Sequence, residues 1–154
     1  MVSGGFISAG KARAFTDKII KTFDVKAQGP GATGGSLSGG NLQKFIMGRE
    51  ILQNPEALVV SQPTWGVDAG AAAAIHQAIV DLAAKGSAVV IISQDLDELL
   101  SLCDRLAVIN LGQLSKVLNV GDVTIEEIGL LMGGVHGDPE ATLQMTEALH
   151  AHPV

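Results

Sequence analysis

The chain of 154 residues is about one domain long, and its 47% hydrophobic but only 3% aromatic residues predict a sizeable aliphatic core. The net charge of −6 argues against nucleic acid and against an anionic membrane as direct partners, because both favour a basic surface. The single cysteine, Cys103, excludes an internal disulfide and fits a reducing cytoplasm.

The first part of the chain is predicted to contain two helices separated by a glycine-rich loop. Residues 1–10 are rich in Gly and Ser and predict a loose lead-in. Ser8 can cap a helix over 11–23, where apolar residues recur at helical spacing on one face. The glycine-dense stretch 28–35 predicts a loop, and a second helix is expected over 41–52.

Two short apolar runs in the middle of the chain predict a pair of strands. Residues 57–61 and 88–92 have the composition of strands that are buried on both faces. Between them, Asp68 can cap a helix that runs to about residue 84. Strand, helix and strand at this spacing predict a right-handed parallel crossover.

The remainder of the chain is predicted to be a series of short elements. A short helix is expected over 95–103, followed by strand-like segments at 105–110 and 113–118 that form a hairpin. Thr124 can cap a last helix, which has acidic residues in its first turn. Because no apolar run approaches the roughly 20 residues that span a bilayer, any link to a membrane is expected to run through a partner.

The segment Leu37-Ser38-Gly39-Gly40 has the chemistry of a phosphate-binding helix start. Gly39 and Gly40 let the backbone approach an anion closely, because no Cβ intervenes. Their N–H groups lie at the start of a predicted helix, where unpaired donors and the helix dipole favour negative charge. Ser38 adds a hydroxyl donor. The same four residues also fit an ordinary loop followed by a helix N-cap, so by themselves they leave both interpretations open.

The order of motifs around this segment resembles the carboxyl-terminal half of an ABC-transporter ATPase. Leu37–Lys44 resembles the signature motif of that family, and Ser61–Asp68 stands where the family keeps the end of its Walker B strand and its D-loop. Asp95–Leu99 and Glu126–Met132 narrow the resemblance to the second nucleotide-binding domain of simple-sugar or nucleoside importers. The resemblance covers about residues 3–134. We call Leu37–Gly40 the signature segment.

The resemblance implies an α/β fold, namely a partial P-loop NTPase (ABC ATPase) domain with parallel core strands, flanking helices and an antiparallel hairpin. It also implies three parts along the chain. Residues 1–54 would form a helical subdomain remnant with the signature motif, 55–132 a partial nucleotide-binding core, and 133–154 a polar carboxyl-terminal tail.

The resemblance also implies that this chain helps to bind a nucleotide that a partner holds. In the family, two nucleotide-binding domains sandwich ATP head to tail, and the signature of one faces the phosphate loop of the other. Asp68, at the D-loop position, would touch the partner's phosphate loop, although an aspartate there equally fits a helix N-cap. The residues expected to bind nucleotide are Leu37, Ser38, Gly39, Gly40, Gln43 and Asp68.

The positions that carry catalytic groups in the family are not acidic in this chain. Where the resemblance places the Walker B aspartate and glutamate, the chain has Ser61 and Gln62, and the switch histidine is replaced by Gln94. Serine is a weaker partner for magnesium, and glutamine can orient a water molecule but cannot accept its proton. Residues 5–12 match Gly-x4-Gly-Lys, but Ala12 has no hydroxyl for magnesium and no strand is predicted before the loop. We therefore expect no catalytic residue and no hydrolysis by this chain alone, with ATP and magnesium bound only in the assembled complex.

The expected function is that of an ATP-binding component of an importer for simple sugars or nucleosides. Its expected partners are a complete nucleotide-binding domain, transmembrane permease subunits and a second copy of the chain, and its expected location is cytoplasmic, at the membrane through the permease. One alternative is a catalytically degenerate interaction or regulatory module, and a weaker one is a standalone P-loop protein that uses Lys11. The histidines of the tail have no cysteine or compact carboxylate cluster beside them, so no metal site is predicted.

Overall fold

The computed structural model describes residues 2–3 and 6–135 of the chain, with side chains from Ser8 onward. The chain divides into two compact units, of which the first ends at Leu96 and the second begins at Asp97. The division into parts that was expected at 54–55 and at 132–133 stays a prediction. Of the predicted tail, 133–154, the part from residue 136 onward lies outside the described residues.

The described part of the first unit contains three helices and two pairs of strands. The strands are β1 (Val2–Ser3), β2 (Phe6–Ile7), β3 (Ala57–Ser61) and β4 (Ala88–Ile92). The helices are α1 (Ala9–Thr22), α2 (Gly39–Ile51) and α3 (Ala69–Ala84), with a short 3₁₀ turn at Gly34–Ser36. β1 pairs antiparallel with β2, where the sequence predicted only a loose lead-in. The sequence did not reveal these strands because each has only two residues, which is too short to show alternation.

Strands β3 and β4 have the predicted bounds and form a parallel pair. Their register runs from Ala57 opposite Ala88 to Ser61 opposite Ile92, and α3 lies between them in the chain. The α/β fold class with parallel core strands is thereby confirmed.

One face of this two-stranded sheet is covered in the described structure, and the other is not. Leu58 and Val60 are buried, whereas Val59, Val90 and Ile92 on the opposite face are 67%, 53% and 53% exposed. The prediction of strands buried on both faces is therefore wrong for the described chain. A run of apolar residues indicates that both faces of a strand can be buried. It does not indicate whether a neighbouring element covers each face.

The core of the first unit joins the covered sheet face to the helices. On α3, Ile75, Ile79 and Leu82 recur at helical spacing, and each is almost completely buried. They form one cluster with Leu58 and Val60 of the sheet and with apolar residues of α2. This packing fixes where α2 begins relative to the end of β3, and these two regions carry the candidate site.

Helix α1 ends in a left-handed residue and packs closely against α2. Asp24 has a φ of +46°, and the Val25 N–H donates to the Ile20 carbonyl at 3.0 Å, which is the pairing of a Schellman C-cap. Farther along the contact, a Cβ at Gly48 would lie 2.6 Å from Cδ2 of Phe23. A glycine at position 48 thus lets the two helices approach.

The predicted N-caps are confirmed. Ser8 caps α1, the Asp68 carboxylate accepts from the Ala71 N–H at 2.9 Å, and the Thr124 hydroxyl accepts from the Glu127 N–H at 3.2 Å. The Glu127 carboxylate returns a bond to the Thr124 N–H at 2.8 Å and completes a capping box. Among the helices of the described residues, none has the length and hydrophobicity that crossing a bilayer requires.

The second unit contains the remaining short elements. They are α4 (Leu96–Leu102), β5 (Arg105–Leu106), β6 (Ile109–Asn110), β7 (Gln113–Leu114), β8 (Leu118–Asn119) and α5 (Ile125–Met132). β6 and β7 form the antiparallel hairpin that was predicted around Leu111-Gly112, and β5 pairs with β8. Burial raises the pKa of the Cys103 thiol, so this cysteine is suited to packing and not to nucleophilic chemistry.

Candidate functional site

The signature segment forms the beginning of α2, and α2 starts two residues earlier than predicted. Ser38 is the N-cap, and Gly39 and Gly40 are the first two helical residues. The first intrahelical bond runs from the Leu42 N–H to the Ser38 carbonyl at 2.9 Å. The N–H groups of Gly39, Gly40 and Asn41 precede that bond, and no side chain caps them at Ser38. Three backbone donors therefore point out of the positive end of a helix that is 13 residues long.

The Ser38 side chain is held by Asn41 and does not cap the helix. Asn41 Nδ2 donates to Ser38 Oγ at 2.9 Å, and Asn41 Oδ1 accepts from the Lys26 backbone N–H at 2.8 Å. A hydroxyl group has one proton to donate and two lone pairs, and the bond from Asn41 uses a lone pair. The Ser38 proton therefore remains available for an acceptor in front of the helix.

The two glycines of the signature segment have different surroundings. A Cβ at Gly39 would have no heavy atom within 4 Å, so the space in front of this residue is open. A Cβ at Gly40 would lie 2.8 Å from the carbonyl oxygen of Gly66, which is much closer than a real contact allows. Gly39 can thus admit a ligand, while Gly40 also serves close packing against the loop that follows β3. Leu37, at the other end of the segment, is half-buried and packs against the core.

The loop between β3 and α3, residues 62–68, is fixed to α2 by hydrogen bonds. Gln43 Nε2 donates to the carbonyl oxygens of both Gln62 and Pro63 at 3.0 Å. Gln62 has a φ of +52°, and its N–H donates to the Ile92 carbonyl at 2.8 Å, which extends the pairing of β3 with β4. Trp65 is 73% exposed at the middle of this loop. The loop is therefore held at its start by β4 and from the side by α2.

The end of the 62–68 loop meets α2 through a buried lysine. Lys44 is only 9% exposed, and its Nζ lies 3.4 Å from the Asp24 carbonyl oxygen and 3.7 Å from Asp68 Oδ2. Asp68 Oδ1 meanwhile caps α3 by accepting from the Ala71 N–H. That backbone hydrogen bond, with a smaller contribution from the Lys44 charge, holds the pKa of the Asp68 carboxyl below its ordinary value. Asp68 is therefore an ionised group at neutral pH.

The residues at the expected catalytic positions lie at the carboxyl edge of the sheet. Ser61 ends β3, Gln62 follows it, and Gln94 lies two residues after the end of β4. Parallel strands bring their carboxyl ends to the same edge, so the fold places these three residues on one side of the sheet. Over the described residues, no group of three His, Cys, Asp or Glu side chains is arranged to hold a metal ion. This edge does not fit a magnesium site built from the chain's own carboxylates.

The match to a phosphate loop near the amino terminus does not form such a loop in the described structure. Gly10 and Lys11 lie in the first turn of α1, and the Lys11 N–H donates to the Ser8 hydroxyl at 3.4 Å. The described part of the Gly-x4-Gly-Lys match is therefore the start of a capped helix and not a phosphate loop.

Two residues of this region were missed by sequence reasoning. Asn41 orients Ser38, and Lys44 reaches Asp68 across the contact between α2 and the 62–68 loop. The only signal available was helical spacing, because Asn41 follows Ser38 by three residues and Lys44 follows Gly40 by four. The partners of Lys44 lie 20 and 24 residues away, so the chain alone could not reveal them.

The chain is similar to several ATP-binding proteins of importers. It is 42% identical over 130 residues to the nucleoside import ATP-binding protein NupA of Lactococcus lactis, which covers 84% of this chain and 26% of that protein. It is 44% identical over 142 residues to the glucose import ATP-binding protein TsgD13 of Haloferax volcanii, with 91% of this chain and 26% of that protein covered. No family model matches the chain.

Solved ATP-binding cassettes have the same fold as the described residues. A dimeric cassette, MJ0796 bound to ADP and Pi, superposes with a TM-score of 0.65 at 21% identity, over 77% of this chain and 51% of that one. A nucleotide-free cassette from an ABC transporter superposes with a TM-score of 0.55 at 31% identity, over 69% of this chain and 42% of that one. The chain belongs to the ABC ATPase family. It spans about a quarter of the length of the curated relatives and about half of the solved cassettes.

For this ABC ATPase chain, we predict that Gly40→Ala lowers stability while Gly39→Ala does not. The added methyl at position 40 meets a backbone oxygen that cannot rotate away, and overpacking of this kind costs about 1–3 kcal/mol. Both variants gain the same helix propensity, so the difference between them isolates the contact with Gly66. Urea unfolding of the two variants measures it. Equal midpoints for Gly40→Ala and wild type would show that α2 does not pack on this loop as described.

Proposed function

We propose that this chain supplies the signature segment to an ATP molecule whose phosphate loop is provided by another nucleotide-binding domain, in an importer of simple sugars or nucleosides. The observation that carries the proposal is the uncapped start of α2, with its three backbone donors and the open space at Gly39. Support comes also from the relatives, which are named as nucleoside, glucose and galactose import ATP-binding proteins. We further propose that the chain corresponds to the second nucleotide-binding domain of such a protein.

The geometry suits an anionic ligand and no particular base or sugar. The donors of Gly39, Gly40 and Asn41 add to the dipole of α2, and the Ser38 hydroxyl can add a fourth hydrogen bond. When ATP is bound, it would supply the negatively charged γ-phosphate that such donors stabilise. Each hydrogen bond to a charged group contributes about 1.5–3 kcal/mol, so a few of them can account for a specific contact.

We propose that the chain does not provide the groups that hydrolyse this ATP. A general base must accept a proton from the attacking water, and neither the Ser61 hydroxyl nor the Gln62 amide can do so at neutral pH. Magnesium does not fit these residues either, because neutral oxygens at Ser61 and Gln62 replace the carboxylates that it prefers. Both ATP and magnesium would therefore be held mainly by the partner domain in the assembled complex.

The proposed partners follow from the same arrangement. A signature segment acts on a nucleotide only when a complete nucleotide-binding domain faces it, and transport requires permease subunits that cross the membrane. We propose that the chain works on the cytoplasmic side of the membrane through such subunits. The solute would be selected by those other subunits, since nothing in the described site distinguishes a sugar from a nucleoside.

The first test of this proposal is the activity of the isolated chain. We predict that the purified protein releases phosphate from ATP at no more than the background rate, because it lacks a general base and a magnesium site. A steady-state phosphate-release assay measures this. Turnover that persists through further purification and is lost in Lys11→Ala would instead support a phosphate loop at residues 5–12.

The second test is association with a complete nucleotide-binding domain that carries its own phosphate loop. Sedimentation of the mixture should reveal a complex with a non-hydrolysable ATP analogue and none with ADP, because only a nucleoside triphosphate places a γ-phosphate at the signature segment. A complex that forms equally well without nucleotide would support the alternative of an interaction module and would contradict the proposal.

A further inference from the structure

One face of α2 connects the signature segment to the 62–68 loop through three consecutive contacts. Gly40, Gln43 and Lys44 lie at helical spacings of three and four residues, which place them on the same face. Gly40 packs against Gly66, Gln43 bonds to the start of the loop, and Lys44 reaches its end at Asp68. The whole loop is thereby held against one helix along its length.

Lys44 is the contact that packing alone does not explain. Its side chain is 11% exposed, so its ammonium group has lost most of its hydration. The distances of 3.4 Å to the Asp24 carbonyl and 3.7 Å to Asp68 Oδ2 are long for hydrogen bonds, and they offset that loss only in part. Replacement of a buried charge by an apolar side chain of similar volume is often neutral or stabilising in proteins. The stability of the fold therefore does not by itself account for a charge at position 44.

The two oxygens of Asp68 have separate contacts. Oδ1 accepts from the Ala71 N–H at 2.9 Å and fixes the start of α3, while Oδ2 faces the Lys44 ammonium. Asp68 is nevertheless 71% exposed, so its carboxylate is also available at the surface. Because solvent screens exposed charges, the Lys44 contact contributes little to folding, but it still biases where the carboxylate points.

We infer that Lys44 is a positioning residue, which holds Asp68 and the 62–68 loop in place so that the loop and the signature segment meet a partner as one rigid unit. The Asp24 carbonyl anchors the ammonium from the side of α1, so α1, α2 and the loop converge on one atom. This inference rests on the proposed function for its consequence in binding, although the hold on the loop can be measured without any partner.

The first arm of the test examines the loop in the chain alone. Trp65 is the only tryptophan of the chain and lies in the loop, so its fluorescence anisotropy reports the motion of that segment. We expect Lys44→Met to keep the fold, to increase the fast motion of Trp65, and to raise the titration midpoint of the Asp68 carboxyl measured by NMR. Lys44→Arg should restore both readouts, since it restores the charge. Lys21→Met, which removes an exposed charge from α1, should leave both as in wild type.

The second arm measures ATP-analogue-dependent association with a complete nucleotide-binding domain. We expect Lys44→Met to weaken it by about tenfold, a size typical of coupling between sites, and Lys44→Arg to bind within about twofold of wild type. If wild type does not associate at all, the proposed function fails, while the anisotropy and the Asp68 midpoint still decide whether Lys44 holds the loop. A different outcome is that wild type associates and Lys44→Met has the same Trp65 anisotropy, the same Asp68 titration midpoint and the same affinity for the complete domain. The inference about Lys44 would then be wrong, and the proposed function would stand.

Discussion

Replacing Gly39 with aspartate is expected to abolish the ATP-dependent association of this chain with a complete nucleotide-binding domain. The new carboxylate would occupy the open space in front of α2 and would repel the γ-phosphate that the donors there are proposed to bind. Losing even one charge-assisted contact costs about 1.5–3 kcal/mol, which is a factor of roughly 10–150 in affinity, and the repulsion adds to this loss. An aspartate in the first turn of a helix is favourable for folding, so the variant should remain folded.

The matched control for Gly39→Asp is Gln62→Ala. The contacts of Gln62 with Gln43 and with Ile92 are made by its backbone, and alanine keeps them. Since the strand end beside Gln62 has no acidic base to support, the variant should associate within about twofold of wild type. Sedimentation with a non-hydrolysable analogue compares both variants directly. If Gln62→Ala abolished association while Gly39→Asp preserved it, the nucleotide would be bound at the end of β3 beside Gln62. The proposal that the signature segment binds the ATP of a partner domain would then be wrong.

The isolated chain is expected to self-associate through the uncovered face of the β3–β4 sheet. Val59, Val90 and Ile92 present apolar surface there, and exposed apolar faces and unpaired strand edges both favour association. In a solution of the purified chain, the available partner is a second copy. Sedimentation velocity over a range of concentrations should therefore give an average mass that rises with concentration.

The double variant Val59→Thr with Val90→Thr tests which surface is responsible. Threonine keeps the branched shape that strands favour but makes burial less favourable by about 1 kcal/mol at each site. Because both copies carry both substitutions, association should weaken by about 4 kcal/mol, which is roughly 1,000-fold. Val80→Thr makes the same exchange of a methyl for a hydroxyl group at an exposed position on α3. This control variant should have little effect on self-association. A wild-type chain that stays monomeric at all concentrations, with a concentration-independent melting temperature, would contradict the prediction.

The sequence by itself determined the order of the main helices and strands, and it placed the ends of the first three helices within two residues. Caps such as Asp68 are local chemistry, because an aspartate can reach an N–H three residues ahead without help from the rest of the chain. The two apolar runs of β3 and β4 and the amphipathic face of α3 are equally local signals, and their positions agree with the structure. The motif order was also sufficient to indicate the ABC ATPase family, which the relatives bear out.

Only the tertiary structure decided what these elements contact. It gave Gly40 a packing partner in Gly66 and placed the Lys44 ammonium beside Asp68. Within residues 8–135, it also left one face of an apolar sheet uncovered. Each of these facts joins residues more than 20 positions apart or depends on whether a neighbour is present. Local propensity and periodicity act over a few residues, whereas burial, close approach and buried charge are properties of the surroundings that the whole chain creates.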